Sequence, residues 1–180
     1  MKKIFLCSCL AVLLLSCNSD KEKPAATETT DAETEKPAVD LPYKASYSSS
    51  FTTDVSDADL KMVLTSYKDW TDGNFAGLEP VMGDSVYYDA SDGSSHQLTK
   101  AGLIKLWKSY RDSLSSVTID MYGWHKMYAT DQKEGHIVTW YKEIDTYKNG
   151  KVDSATYHDI NRVKDGKIVW YSSMKRGFKK

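Results

Sequence analysis

Four histidines (His96, His125, His136, His158) and three cysteines (Cys7, Cys9, Cys17) are the side chains of this 180-residue chain best suited to nucleophilic or metal chemistry. Their placement removes most of it. All three cysteines fall in the first 17 residues, so the body of the chain has no disulfide, no catalytic thiol and no thiolate metal site. The histidines stand in no HxH or HExxH relation to one another or to a carboxylate, which argues against a metal ion. A glycine-rich phosphate loop and a GxSxG elbow are both absent, which removes nucleotide-binding and serine-hydrolase mechanisms. No cofactor is called for. Carboxylate chemistry remains. Asp89 opens the run Asp89-Ala90-Ser91-Asp92-Gly93, which ordinary turn chemistry also uses. Asp159 alternates in phase with Tyr157, Asn161 and Val163, opposite His158, Ile160 and Arg162. That pattern fits a pocket wall or an exposed polar face. His158 could act as a general base or simply be a hydrogen-bonded strand residue.

The elements that must position these groups follow from periodicity. Leu60, Val63, Leu64 and Tyr67 recur at helical spacing, and Ser56 with Asp59 forms a capping box in front of them. Asn74 caps a second, short helix through Leu78 that Pro80 must kink or end. A strand follows at Ser85–Tyr88. Behind the cap Thr99, a third helix carries Leu103, Leu106, Trp107, Tyr110 and Leu114 on one face, which places Trp107 and Tyr110 in the core. The period then changes to two, with strands over Val117–Met121, His136–Tyr147, Val152–Val163 and Lys167–Met174. Asn149-Gly150 and Asp165-Gly166 predict two type I′ hairpin turns. Helices followed by a run of antiparallel strands imply an α+β domain whose curved sheet lays its apolar face on the helices.

The first 55 residues read differently. Lys2 and Lys3, an apolar run from Ile4 to Leu15 and the small residue Ser16 are the parts of a secretory signal. The run is short of the roughly 20 apolar residues that a membrane-spanning helix needs, although an uncleaved anchoring helix is the alternative. Leu14-Leu15-Ser16-Cys17 resembles a bacterial lipobox. The resemblance implies a signal peptide over residues 1–16 and Cys17 as the acylated first residue, bearing palmitate-type chains in a cell-envelope membrane. The outer membrane is favoured, with the domain in the periplasm or at the cell surface. Residues 17–55 read as a polar tether with eight acids against four lysines, too poor in apolar residues to order itself. A flexible chain of about 39 residues spans on the order of 35 Å. Asp20-Lys21-Glu22-Lys23 is similar to the acidic export tags of surface lipoproteins, or is ordinary tether. Residues 56–180 make one domain with 18 basic and 17 acidic residues and no basic stripe, so nucleic acid is not an expected partner.

The order helix, short helix, strand, long helix and strand meander resembles the nuclear transport factor 2-like (NTF2-like) superfamily and its SnoaL-like branch over the whole domain. Its local marks are Tyr67–Phe75, similar to the family's first helix ending in Gly-Asp, and Arg162–Ile168, similar to its last hairpin. The resemblance implies a cone, a bent sheet around about three helices with a pocket at its open end. It also implies a choice of functions, because isomerases, dehydratases, cyclases, epoxide hydrolases and pure binding domains share the shape. In comparison with the ketosteroid isomerase branch, Asp89 falls near the general-base position, allowing a one-residue gap. Asp159 falls on the oxyanion-hole acid, at the same distance after Gly150. The implied mechanism has Asp89 move a proton beside a carbonyl while neutral Asp159 donates to the oxyanion. The family's tyrosine position falls on Ser66, with Tyr67 one residue and about 100° of helix away.

Three readings follow. The first is a lipid-anchored module that binds a small apolar or aromatic ligand without catalysis, with Tyr67, Trp70, Tyr88, Trp124, Trp140 and Tyr171 as its contacts. The second is an isomerase or dehydratase using Asp89 and Asp159, with His158 as the weaker candidate; it requires both carboxyls to face one pocket. The third is a homodimeric interaction scaffold that pairs through its sheet.

Overall fold

A computed structural model describes residues 40–178; the lipobox, Cys17 and most of the tether lie outside the described residues. In chain order the elements are β1 (Phe51–Thr52), α1 (Asp57–Asp72), α2 (Phe75–Val81), β2 (Met82–Asp89), β3 (Ser95–Thr99), α3 (Lys100–Arg111), β4 (Leu114–Ala129), β5 (Glu134–Tyr147), β6 (Val152–Lys164) and β7 (Lys167–Gly177). The strands form a single sheet in the order β1-β4-β5-β6-β7-β2-β3.

The helix boundaries sit where local chemistry sets them. Ser56 Oγ accepts the Asp59 amide at 2.9 Å, Asn74 Oδ1 that of Gly77 at 3.2 Å, and Thr99 Oγ1 that of Gly102 at 3.2 Å, each satisfying an amide that the first turn would leave unpaired. Gly73 ends α1 with φ 68°, a left-handed conformation natural to glycine; its amide donates to Trp70 O, and that of Asn74 to Asp69 O. This reciprocal pair of bonds ends the helix in a Schellman motif. Arg111, from the end of α3, reaches the same terminus and donates to the Trp70 and Thr71 carbonyls at 3.3 and 3.0 Å. The last turn of α1, which carries Trp70, is thereby fixed from both sides.

α1 buries Val63 and Tyr67 against the sheet, where Ile137, Tyr141, Val163 and Ile168 meet Leu78, Met82, Val86 and Leu103 in one core. The sheet bends through register shifts at Met121/Gly123 on β4, at Arg162/Val163 against β7, and between Met82 and Tyr87 on β2. Such bulges sharpen twist and curvature locally.

Several boundaries differ from the sequence reading. The sheet is mixed, because β2 runs parallel to β7. Leu114 starts β4 rather than ending α3, and β4 continues 16 residues to Ala129. α2 passes Pro80 by one residue. Asp165 (φ 50°) and Gly166 (φ 68°) form the expected left-handed pair, but at the other hairpin only Gly150 is left-handed, and a Tyr147–Lys151 bond closes a longer loop. The packed domain also begins before residue 56. Tyr47 donates to Glu134, Ser48 to Asp131 at 2.6 Å, and β1 pairs with the end of β4.

Candidate functional site

Alternation along β5 and β6 builds the site. Ile137, Thr139, Tyr141, Glu143, Asp145 and Tyr147 point to the helix side of β5, and Tyr157, Asp159, Asn161 and Val163 do so on β6, in matching register. Between this wall and helices α1 and α3 lies a cavity of about 580 Å³, within the range of small-molecule sites. Tyr88, Trp107 and Tyr171 form one aromatic side, with Trp107 edge-on to Tyr171 at 5.5 Å and Tyr88 stacked on it at 5.9 Å. Trp70, stacked on Tyr110 at 6.2 Å, forms another.

The deep end is organised around one oxygen. Asp159 Oδ2 accepts the hydroxyls of Tyr67 at 3.0 Å, Tyr141 at 2.7 Å and Tyr171 at 2.7 Å. With its single proton given to Asp159, Tyr67 accepts from Asn161 Nδ2 at 3.0 Å and from Thr139 at 2.8 Å. Asp159 is fully buried, and its Oδ1 has no hydrogen-bond partner among the described residues. Burial pushes its carboxyl up, against the pull of the Tyr171, Tyr141 and Tyr67 hydroxyls and of nearby Ser173, which makes no bond to Oδ1. Burial and the neighbouring Asp159 charge hold the Tyr67 and Tyr171 phenols well above their ordinary range, and burial does the same for Tyr141. All three therefore stay protonated donors.

A second acid group stands nearer the mouth. Glu143 lines the cavity and accepts the Trp70 indole N–H at 3.1 Å. Burial, reinforced by the charge of Asp145, pushes it up to about 8. Asp145, also raised by burial, accepts from Tyr110 at 2.8 Å. At the rim Lys175 donates to Asp153 at 3.1 Å and lies over the Tyr157 ring.

Of the residues singled out in the sequence, Tyr67, Trp70, Tyr88 and Tyr171 line this cavity and Asp159 lies beneath its wall. Asp89 does not join them. Tyr88 and Tyr171 pair in register on the inner face, so the next pair, Asp89 and Ser172, faces outward, where Asp89 accepts the Trp170 indole N–H at 2.6 Å. The two aspartates occupy opposite faces of the sheet and cannot flank one substrate. His158, one residue from Asp159, is likewise exposed on the outer face, between Trp140 and Met174. Trp140 is on that face too, packed over Gly123, while Trp124 is 49 % exposed on β4; neither lines the cavity. Trp107 and Tyr110, expected in the core, are cavity walls. The departure at Ser66 is met by its neighbour: Ser66 Oγ turns back to Val63 O at 2.7 Å, and Tyr67 supplies the hydroxyl at Asp159. Glu143 and Asp145 were missed by sequence reasoning. Their signal was the same two-residue phase as Ile137 and Thr139. Among the described residues no cluster of three histidines, cysteines or carboxylates could hold a metal ion.

No family model matches the chain, and no curated protein does. Solved structures do match. An LEH-like epoxide hydrolase from M. tuberculosis superposes with a TM-score of 0.56 at 10% identity, covering 66% of this chain and 83% of that one. An NTF2-like protein of unknown function from Exiguobacterium sp. 255-15 gives 0.54 at 17% identity, over 66% and 98% of the two chains. A putative polyketide cyclase from Xanthomonas campestris gives 0.51 at 12% identity, over 66% and 90%. At these identities the likeness concerns the fold. The domain is an α+β cone of the nuclear transport factor 2-like kind.

The raised Glu143 carboxyl sets a pH signature. Folded protein holds this proton up to about pH 8, whereas an unfolded glutamate releases it near 4.3. The associated stability is therefore complete below the unfolded value and is lost as pH rises through about 8. Glu143→Gln keeps an acceptor for Trp70 and has no proton to lose. In urea unfolding the variant should match the native protein near pH 4 and exceed it by a few kcal/mol at pH 8.5; an offset independent of pH would contradict the assignment.

Proposed function

We propose that this domain is a ligand-binding module that takes a small, mainly apolar or aromatic molecule into the cone, and that Cys17 anchors it to an envelope membrane by acylation. The observation that carries the binding reading is the hollow cone: about 580 Å³ of space walled by Trp70, Tyr88, Trp107, Tyr110 and Tyr171. A domain that needed only a core would fill such space with side chains. The aromatic walls supply apolar area and flat faces for a ring system, while the carboxyls give polar anchoring points. Catalysis by an Asp89–Asp159 pair is not part of the reading, because the sheet separates the two groups.

Trp70 and Trp107 report occupancy directly. Titration with 2-naphthylmethanol should quench tryptophan fluorescence saturably and raise the melting temperature. Ser173→Phe, which builds a ring into the cavity from β7, should abolish both effects. A native protein that shows neither response would overturn the binding reading.

The anchor rests on Leu14-Leu15-Ser16-Cys17 behind a short apolar run. Cys17→Ala should move the expressed protein from the membrane to the soluble fraction of bacterial cells, and unchanged membrane retention would overturn acylation.

A further inference from the structure

Glu143 is only 7 % exposed, yet lines the cavity. One of its oxygens takes the Trp70 N–H; among the described residues the other has no hydrogen-bond partner, on a side chain that borders the open space. Asp145, the next inward residue on β5, is 3 % exposed and leaves Oδ1 equally unpartnered. Asp159 adds a third inward carboxyl. Against these, Lys175 is the one ammonium among the described residues of the wall, and it is engaged by Asp153 at 3.1 Å. The wall thus holds one buried acid, Glu143, backed by Asp145, while the ammonium of the lining, Lys175, makes its bond to Asp153 instead; the charged form of such an acid is costly unless a partner arrives. Around Glu143 the surfaces are aromatic: Trp70 backed by Tyr110, and Tyr141 stacked on Tyr157 at 5.4 Å. The Tyr157 ring already carries one ammonium, Lys175 at 5.7 Å, on its face. Acid oxygen and aromatic faces together are what an organic cation requires, the first for a charge-assisted hydrogen bond and the second for cation–π attraction.

We propose that the ligand of the cavity is an organic ammonium ion with an aromatic body, its nitrogen donating to the free oxygen of Glu143 and its ring lying among Trp70, Trp107 and Tyr171. This assignment rests on the binding reading above and narrows it. A carboxylate ligand would meet the Glu143 acid with Asp145 and Asp159 close behind the wall, and a neutral one would leave Glu143 without a counter-charge.

Three probes of one shape separate the possibilities: 2-naphthylmethylammonium, 2-naphthylmethanol and 2-naphthoate, titrated against the native domain by tryptophan fluorescence at pH 8.5, above the point at which Glu143 gives up its proton. The ammonium should bind about tenfold more tightly than the alcohol, and the carboxylate most weakly. In Glu143→Gln the ratio of ammonium to alcohol affinity should fall to about two or less, with Asp145→Asn as a second variant lowering it in the same direction. Alcohol binding as tight as ammonium binding in the native protein overturns the cation assignment and leaves the cavity reading standing. Failure of all three probes to bind overturns both.

Discussion

A carboxylate deep in a protein is very costly to leave without partners, and an unpaired phenol hydroxyl, though cheaper, still costs about 1–3 kcal/mol. In this domain three phenols and one carboxylate oxygen resolve each other's requirement at a single point, Asp159 Oδ2. The four side chains come from α1, β5, β6 and β7, so the point locks the first helix onto three central strands. One turn later on the same helix, Trp70 donates to Glu143, a second polar pin from helix to sheet. Tyr67 and Trp70 therefore fix both the rotation of α1 and its distance from the wall. A purely apolar contact would allow the helix to slide; hydrogen bonds with defined donors and acceptors do not. The space between these pins and α3 remains open, and that space is the cavity.

Polarity along β5 shows how the same strand serves core and site. From Ile137 and Thr139 at the closed end, through Tyr141, to Glu143, Asp145 and Tyr147 at the mouth, the inward side chains pass from apolar to acidic while keeping one phase. The closed end supplies the burial that stabilises the fold. The open end holds groups that burial makes reluctant to ionise, Glu143 most visibly. Stability near the mouth is thus spent on chemistry that the core has no use for, a pattern common at binding sites.

The fold was legible because its signals are local and agree with one another. The caps Ser56, Asn74 and Thr99, the left-handed Asp165-Gly166 pair and the alternating strands each follow from short-range chemistry. What escaped either lacks an apolar pattern of its own or depends on partners distant in sequence. β3, with the sequence Ser-His-Gln-Leu-Thr, went unread because it is a mostly polar strand held by pairing with its neighbour β2, and the parallel β2–β7 contact leaves no trace in either strand alone. Asp159 was found through its phase. Asp89 was misplaced because alignment to a motif gives a position along a strand but not the face on which it sits, and the register with Ser172 turns it outward. Trp124 and Trp140 were attractive as large aromatics, yet they lie outside the cavity wall. Glu143 and Asp145 were passed over because acids are normally solvated; only their phase with Ile137 marked them as inward.

The central claim, that the Asp159 cluster holds helix and sheet together, is tested by a double-mutant cycle between Asp159→Ala and Tyr171→Phe in urea unfolding. Asp159→Ala should cost about 3 kcal/mol or more, since it strands three buried hydroxyls. Tyr171→Phe should cost at least about 1 kcal/mol less in that background than in the native protein. Strictly additive effects, or an Asp159→Ala variant as stable as the native domain, would contradict it.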